Sequence, residues 1–216
     1  MLFLYTAELL YIKTILSQTD NRVIMNYYNY LFALEAKFQA ISAFVEVDER
    51  NYQTFSTEIS LIFLATCSEF EVVAKELCEI FEPGFKNGHP RANISNIADV
   101  ILRHCPAIID HVVDVQFFDK HYLPLQGWRS DNSPNWWSDY NSLKHNRSEN
   151  YHLAHLENLL KALSSLSLVN HYYVWKKFCP NNQIHSASLH LSRLPTYFRI
   201  RDVQYDGLRY NDDFDI

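Results

Sequence analysis

Glycine is scarce in this chain, with four residues in 216, and none falls in a phosphate-cradling pattern: G-x-x-x-x-G-K-[ST] and G-x-G-x-x-G are both missing. ATPase and dinucleotide-binding readings therefore have no support. No G-x-S-x-G elbow and no H-E-x-x-H is present, which removes the α/β-hydrolase signature and the common metalloprotease motif. Cysteine is limited to Cys67, Cys78, Cys105 and Cys179, without a C-x-x-C pair or zinc-like spacing. They read as small buried hydrophobes in a reducing compartment. No apolar run reaches the roughly 18 residues a membrane span requires. The N-terminal MLFLYTAELLYIKTILSQ carries Glu8 and Lys13 and lacks a basic n-region and a small-residue cleavage site. The expectation is a cytoplasmic protein with no signal peptide and no membrane association. A net charge of −6 also excludes a basic footprint over the whole surface, so any nucleic acid would bind at a local patch of Lys and Arg.

What is abundant is aromatic: 14 Tyr, 14 Phe and 4 Trp within an apolar fraction of 48%. That mixture suits thick helix–helix contacts or an oligomer interface. The length fits one domain with its own core and a tail.

Periodicity of three and four predicts helices through most of the chain. A first spans 2–17, followed by turn and cap chemistry at Thr19-Asp20-Asn21. A second runs from Val23 to about Val45 on Tyr27, Tyr30, Leu31, Leu34, Phe38 and Ile41. Asp48 to Asn51 is a polar break. A third runs from Tyr52 to Phe81 and stops at Pro83-Gly84; its centre, Leu61 to Cys67, is apolar almost all round, as for a helix threading the core. Glu69, Glu71 and Glu76 interrupt it, mostly as exposed carboxylates. Asn93 to His104 reads as a short helix. Residues 107–134 read as an extended connection with a helical turn or a short strand. A short helix is expected from Trp136 to about Leu143. The last major helix is expected from near Asn150 to about Lys177, with Leu153, Leu156, Leu160, Leu163 and Leu166 as its buried stripe. The fold class expected is all-α, an antiparallel helical bundle over residues 1–180 with a core near 25–178. A partly irregular tail, 181–216, would pack on the bundle or on a partner.

The chemistry concentrates in Lys144-His145-Asn146-Arg147 and the residues after it. On a helix beginning near Asn150, His152 would sit at the rim of the leucine stripe and His155 further toward solvent. A rim imidazole can point into a groove and move protons near neutrality. Arg147 would lie just before the helix start, where a guanidinium and first-turn N–H groups both favour phosphate oxygens. Such a pair suits a phosphodiester: Arg147 neutralises the scissile phosphate while His152 transfers a proton, and RNA supplies its own nucleophile in the 2′-hydroxyl. The structural alternative is Arg147 paired with Glu149 or a neighbouring carboxylate and His152 satisfied at the core edge. Lys144 and His145 are further candidates for phosphate contacts, Asn141 for orienting the site. Trp136, Trp137 and Tyr140 either stack on bases or anchor their helix to the core, the second being favoured. Glu149-x-x-His152 also matches the carboxylate–imidazole spacing of di-iron bundles, but the required second Glu-x-x-His is missing. No metal or cofactor is therefore expected.

The segment WWSDYNSLKHNRSENYHLAHLENLLKALSSL resembles the C-terminal part of HEPN domains, in particular small bacterial proteins with a WW-x2-YN-x2-KH-x-R core. The preceding EISLIFLATCSEFEVVAKELC is similar to the helix before it, and the likeness spans about 25–178. The superfamily's R-x(4–6)-H motif falls on Arg147, Ser148 and His152, with Ser148 where Asn is frequent and a spacing at the short end. The resemblance implies metal-independent RNA cleavage at a composite site of a homodimer, with Ser148 among the substrate-binding residues. It also implies a place in bacterial defence or toxin–antitoxin systems with an antitoxin or defence component as partner. Relatives that have lost activity imply the alternative, a non-catalytic helical module binding a protein or nucleotide.

Overall fold

A computed structural model of the chain describes residues 18–178 and 195–201. The helix expected at 2–17 and most of the tail lie outside these residues. The described elements in chain order are α1 (Gln18–Ser42), α2 (Thr57–Phe81), a single turn α3 (Phe85–Gly88), α4 (Ile94–His104), β1 (Val113–Val115), β2 (Lys120–Tyr122), α5 (Asn135–His145), a second single turn α6 (Arg147–Asn150), α7 (Leu156–Phe178) and β3 (Phe198–Ile200). The framework is helical, as expected. The all-α expectation is corrected by a three-stranded antiparallel sheet, ordered β2-β1-β3. No described helix is long and apolar enough to cross a membrane.

α2 and α7 form the axis of the core. Ile59, Ile62, Phe63, Cys67, Phe70, Val73 and Leu77 of α2 face Leu156, Leu159, Leu160, Leu163 and Leu166 of α7, all buried. Phe70 sits at the centre of an aromatic nest, 5.1 Å from Trp136, 5.9 Å from Trp137 and 6.0 Å from Trp128 between ring centroids. The Trp136 indole N–H donates to the Pro124 carbonyl at 2.9 Å, which satisfies the polar end of a buried ring. Trp136, Trp137 and Tyr140 are buried, so they anchor α5 and present no face for base stacking.

Local chemistry accounts for several boundaries. Ser56 caps α2 by accepting from the Ile59 N–H, and α2 ends where Pro83-Gly84 begins, Gly84 taking φ +94°. Asn93 and Asn96 form a reciprocal capping box at the start of α4. Other expectations are corrected. Thr19-Asp20-Asn21 lie inside α1, not in a turn; with no Gly or Pro, their propensity deficit of about 0.5 kcal/mol each is too small to break a helix. Tyr52 to Ser56 is not helical. Tyr52 and Thr54 give their carbonyls to the N–H groups of Glu157 and Leu156, the otherwise unsatisfied donors at the start of α7. The centre of α2 is not buried all round either: Leu61 is 53% exposed.

The sheet closes one side of the bundle. Val113 pairs with both Tyr122 and Ile200, and Val115 with Lys120 and Phe198. β3 is held from beneath by Glu35 of α1, a buried carboxylate that accepts from the N–H groups of Thr196 (2.9 Å), Tyr197 (2.9 Å) and Phe198 (3.2 Å). The Ser167 hydroxyl of α7 donates to the Phe198 carbonyl at 2.7 Å, and Arg201 pairs with Asp114 of β1. Part of the tail therefore packs on the bundle.

Burial also gives the fold a pH dependence. The His171 imidazole is pushed down to about 4 by burial, with the charge of His111 acting in the same direction. An unfolded imidazole takes its proton near 6.5, so the unfolded chain binds more protons between pH about 6.5 and 4. His171 thus contributes fully above that window and loses up to about 3 kcal/mol as pH falls through it. Thermal unfolding midpoints measured from pH 7 to 4 are expected to drop more steeply for the native chain than for His171→Leu; equal slopes would contradict this.

Candidate functional site

The site lies at the break between α5 and α7. α5 ends at His145 because Asn146 leaves helical geometry (φ −143°, ψ 78°), while its N–H still reaches the Ser142 carbonyl at 3.0 Å. Asn146 then serves as the N-cap residue of α6. Its side-chain amide donates to Glu149 at 2.7 Å, and its amide oxygen accepts from the Ser148 hydroxyl at 2.9 Å. Asn150 closes the turn by donating its side-chain N–H to the Ser142 carbonyl at 3.0 Å. The polar side chains of this turn are thus spent on one another, and they fix its shape.

Arg147 and His152 stand apart from that network. Both are exposed, and neither forms a hydrogen bond or ion pair with a described residue. The expected alternative of an Arg147–Glu149 pair is not found; Glu149 bonds Asn146 instead. Arg147 opens α6, and His152 is the middle residue of a 3-10 turn, Tyr151–Leu153. The turn is tethered on both sides of His152. The Tyr151 hydroxyl donates to Thr57 Oγ1 at 3.0 Å while its ring meets Phe55 edge-on at 5.6 Å. On the other side, the Asn158 amide of α7 donates to the Leu153 carbonyl at 2.9 Å and to Asp139 of α5 at 2.8 Å.

This geometry overturns the expected placement of the two histidines. A single helix from Asn150 would carry His152 on the core rim and His155 outward. The helix is interrupted instead, because Ala154 leaves helical geometry (ψ 59°) and His155 is extended, bridged to Phe55, before α7 starts at Leu156. The helical phase restarts there, so His155 is buried and His152 exposed. His155 Nδ1 accepts from the Asn158 N–H at 3.3 Å. Burial holds the His155 imidazole below its ordinary value, against the opposing pull of Glu157 and Asp139.

The other candidates fall into two groups. Lys144 and His145 are exposed at the end of α5, Lys144 with its ammonium 5.4 Å from the centre of the Tyr140 ring. They precede Arg147 in the chain by three and two residues. Ser148 has its hydroxyl proton committed to Asn146, and Asn141 is half-buried. Glu149 and His152 fall on successive turns, α6 and the 3-10 turn Tyr151–Leu153. Among the described residues no group of three or more His, Cys, Asp or Glu is placed to hold a metal ion. Of the helix carboxylates, Glu71 pairs with Lys75 and Glu76 with Lys86, while burial pushes the Glu69 carboxyl upward. Sequence reasoning missed Asn146 and Asn158, the residues that shape the site. Asn146-x-x-Glu149 is a capping-box spacing and was a legible signal for the first; the partners of Asn158 lie on two other elements and left none.

The fold and site define a helical bundle with a small antiparallel sheet, carrying an exposed arginine and an exposed histidine on two successive turns, the second of them tethered. Comparison with family models, with curated proteins and with solved structures finds no match for the chain.

Proposed function

We propose that the chain is a HEPN-like, metal-independent endoribonuclease of a bacterial defence or toxin–antitoxin type, working in the cytoplasm. Arg147 holds and neutralises the scissile phosphate, and His152 is the general acid–base. The observation that carries this reading is a guanidinium and an imidazole, both unbonded among the described residues, on two successive turns, the first of which spends its other polar side chains internally. Side chains that bond no described residue are open to a ligand in this reading, and the tethers on Tyr151 and Leu153 reduce the ordering cost of binding it.

In the proposed reaction His152 removes the proton of an RNA 2′-hydroxyl, whose oxygen attacks the adjacent phosphorus. The bond from phosphorus to the 5′ oxygen breaks, and that oxygen receives a proton from an imidazolium, either of the same subunit or of a second one in a homodimer. The products are a 2′,3′-cyclic phosphate and a 5′-hydroxyl, and no metal or cofactor enters. Arg147 offers a fork of donors to the phosphate oxygens, while Lys144 and His145 add charge along the backbone. Asn141 and Ser148 are secondary contacts in this reading. Incubating the purified chain with single-stranded RNA in EDTA is the test. Cleavage to cyclic-phosphate ends is expected, whereas cleavage only on addition of a divalent metal would contradict it.

A second reading, a non-catalytic module that binds a protein partner, is favoured by the apolar surface of α1 and α2, where Tyr30 and Leu61 stand about half exposed. That reading expects intact RNA at any protein concentration.

A further inference from the structure

α1 and α2 run antiparallel. Lys37, late in α1, lines the same groove as Glu58, early in α2, while Tyr27, early in α1, hydrogen bonds Glu76 late in α2. The groove between them has a volume of about 300 Å³ and is floored by Tyr30, Ala33, Leu34, Leu61, Ile62 and Ala65. Tyr30 is 47% exposed, and Val72, about three helical turns beyond Leu61 on the same face, is 41% exposed. Apolar exposure of this kind, interrupted on α2 by Ser68, on an otherwise well-packed domain marks an interaction surface. The charges at one end of the groove say what it fits. Lys37 and Glu58 are both exposed, and neither is ion-paired with a described residue.

We infer that this groove is the docking face for a second copy of the chain, related by a two-fold axis running along the groove. Rotation about an axis parallel to the helices exchanges α1 with α2 of the partner and leaves every residue at its own height. Lys37 of one protomer then lies over Glu58 of the other, and the reverse pair forms by symmetry. One cation and one carboxylate that face each other across a groove thus become two reciprocal ion pairs, the mark of an isologous interface. The apolar floor is self-complementary under the same operation: Tyr30 and Ala33 meet Leu61 and Ala65, and the small alanines let the helices approach. Because α1 and α2 are antiparallel, the product is an antiparallel four-helix layer.

The same operation has a consequence that rests on the proposed function. Thr57, which receives the Tyr151 hydroxyl, is next to Glu58. The turn that carries His152 is therefore tied to the end of α2 where the reciprocal ion pairs form. Docking brings the two turns of the dimer to one end of the four-helix layer.

Sedimentation of the full chain across a concentration series, up to about 100 μM, reads the interface. The native chain is expected to form a dimer. Lys37→Glu and Glu58→Lys each place like charges opposite one another twice and are expected to weaken it about tenfold or more. The double variant Lys37→Glu with Glu58→Lys restores opposite charges and is expected to return dimerisation to near the native level. Circular dichroism confirms that these surface substitutions leave the fold intact. A native chain that stays monomeric, single variants that dimerise like it, or a double variant no better than the singles each overturn the inference. RNA cleavage recorded on the same samples separates the two proposals: a dimer that leaves RNA intact removes the nuclease reading alone, and a monomer that cleaves removes the docking face alone.

Discussion

Replacing Glu35 with alanine is expected to destabilise the protein by about 3–5 kcal/mol, the range for removing one side of a buried, charge-assisted hydrogen-bond set. One carboxylate on α1 serves three consecutive backbone donors, Thr196, Tyr197 and Phe198. Truncation leaves these N–H groups beneath a strand packed against Phe38, whose ring lies 5.3 Å from that of Phe198 and 5.7 Å from that of Tyr197. Water has poor access there, so the donors are left unsatisfied. The loss is large against a total stability of about 5–15 kcal/mol for a domain. Glu35→Gln keeps one acceptor oxygen and the side-chain shape, and is expected to lose about half as much. Urea unfolding monitored by circular dichroism reads both as shifts in midpoint. A change below about 1 kcal/mol for Glu35→Ala would show that β3 contributes little to the fold.

Arg147→Ala and His152→Ala are each expected to lower RNA cleavage by about 10²–10⁴-fold, the range of a positioned general acid–base or of a donor aimed at developing phosphate charge. Both side chains are exposed and bond nothing described. Their removal should therefore change stability by no more than about 0.5 kcal/mol. Activity and folding are thereby separable: the melting temperature stays at the native value while the rate collapses. Arg147→Lys keeps the charge and loses the planar fork, so an intermediate rate is expected. Native rates in either alanine variant would remove that residue from the chemistry.

How far the chain could be read from its residues depended on the range of the interactions involved. Where the determinant was local, the reading held. Pro83-Gly84 ends α2, Asn93 starts α4, and the leucines from Leu156 to Leu166 form a buried stripe. Where the determinant came from elsewhere in the chain, it did not. Tyr52 to Ser56 have helix-compatible side chains, but the unsatisfied donors of α7 draw the Tyr52 and Thr54 carbonyls out of a helix. The approach to β3 is held by Glu35, more than a hundred and fifty residues away, and β3 itself by pairing with β1; no pattern at 198–200 announces either partner. The candidate site shows both cases in a few residues. The polar knot at Lys144 to Arg147 ends α5 as expected, but Arg147 opens the single turn α6 and not the last long helix, which starts only at Leu156. The histidines were exchanged, because one non-helical residue at Ala154 resets the phase on which an amphipathic projection depends. His152 consequently faces solvent and not the rim of the leucine stripe. For a group meant to reach a phosphodiester, that position is the more accessible one.

The central claim is that Arg147 and His152 cleave RNA through the 2′-hydroxyl without a metal. The most direct measurement compares an RNA oligonucleotide with the same strand carrying 2′-deoxyribose throughout, both incubated with the native chain in EDTA and resolved by mass. The account predicts 2′,3′-cyclic-phosphate fragments from the RNA and an intact deoxy strand; an uncut RNA at excess protein, or equal cutting of both strands, would contradict it.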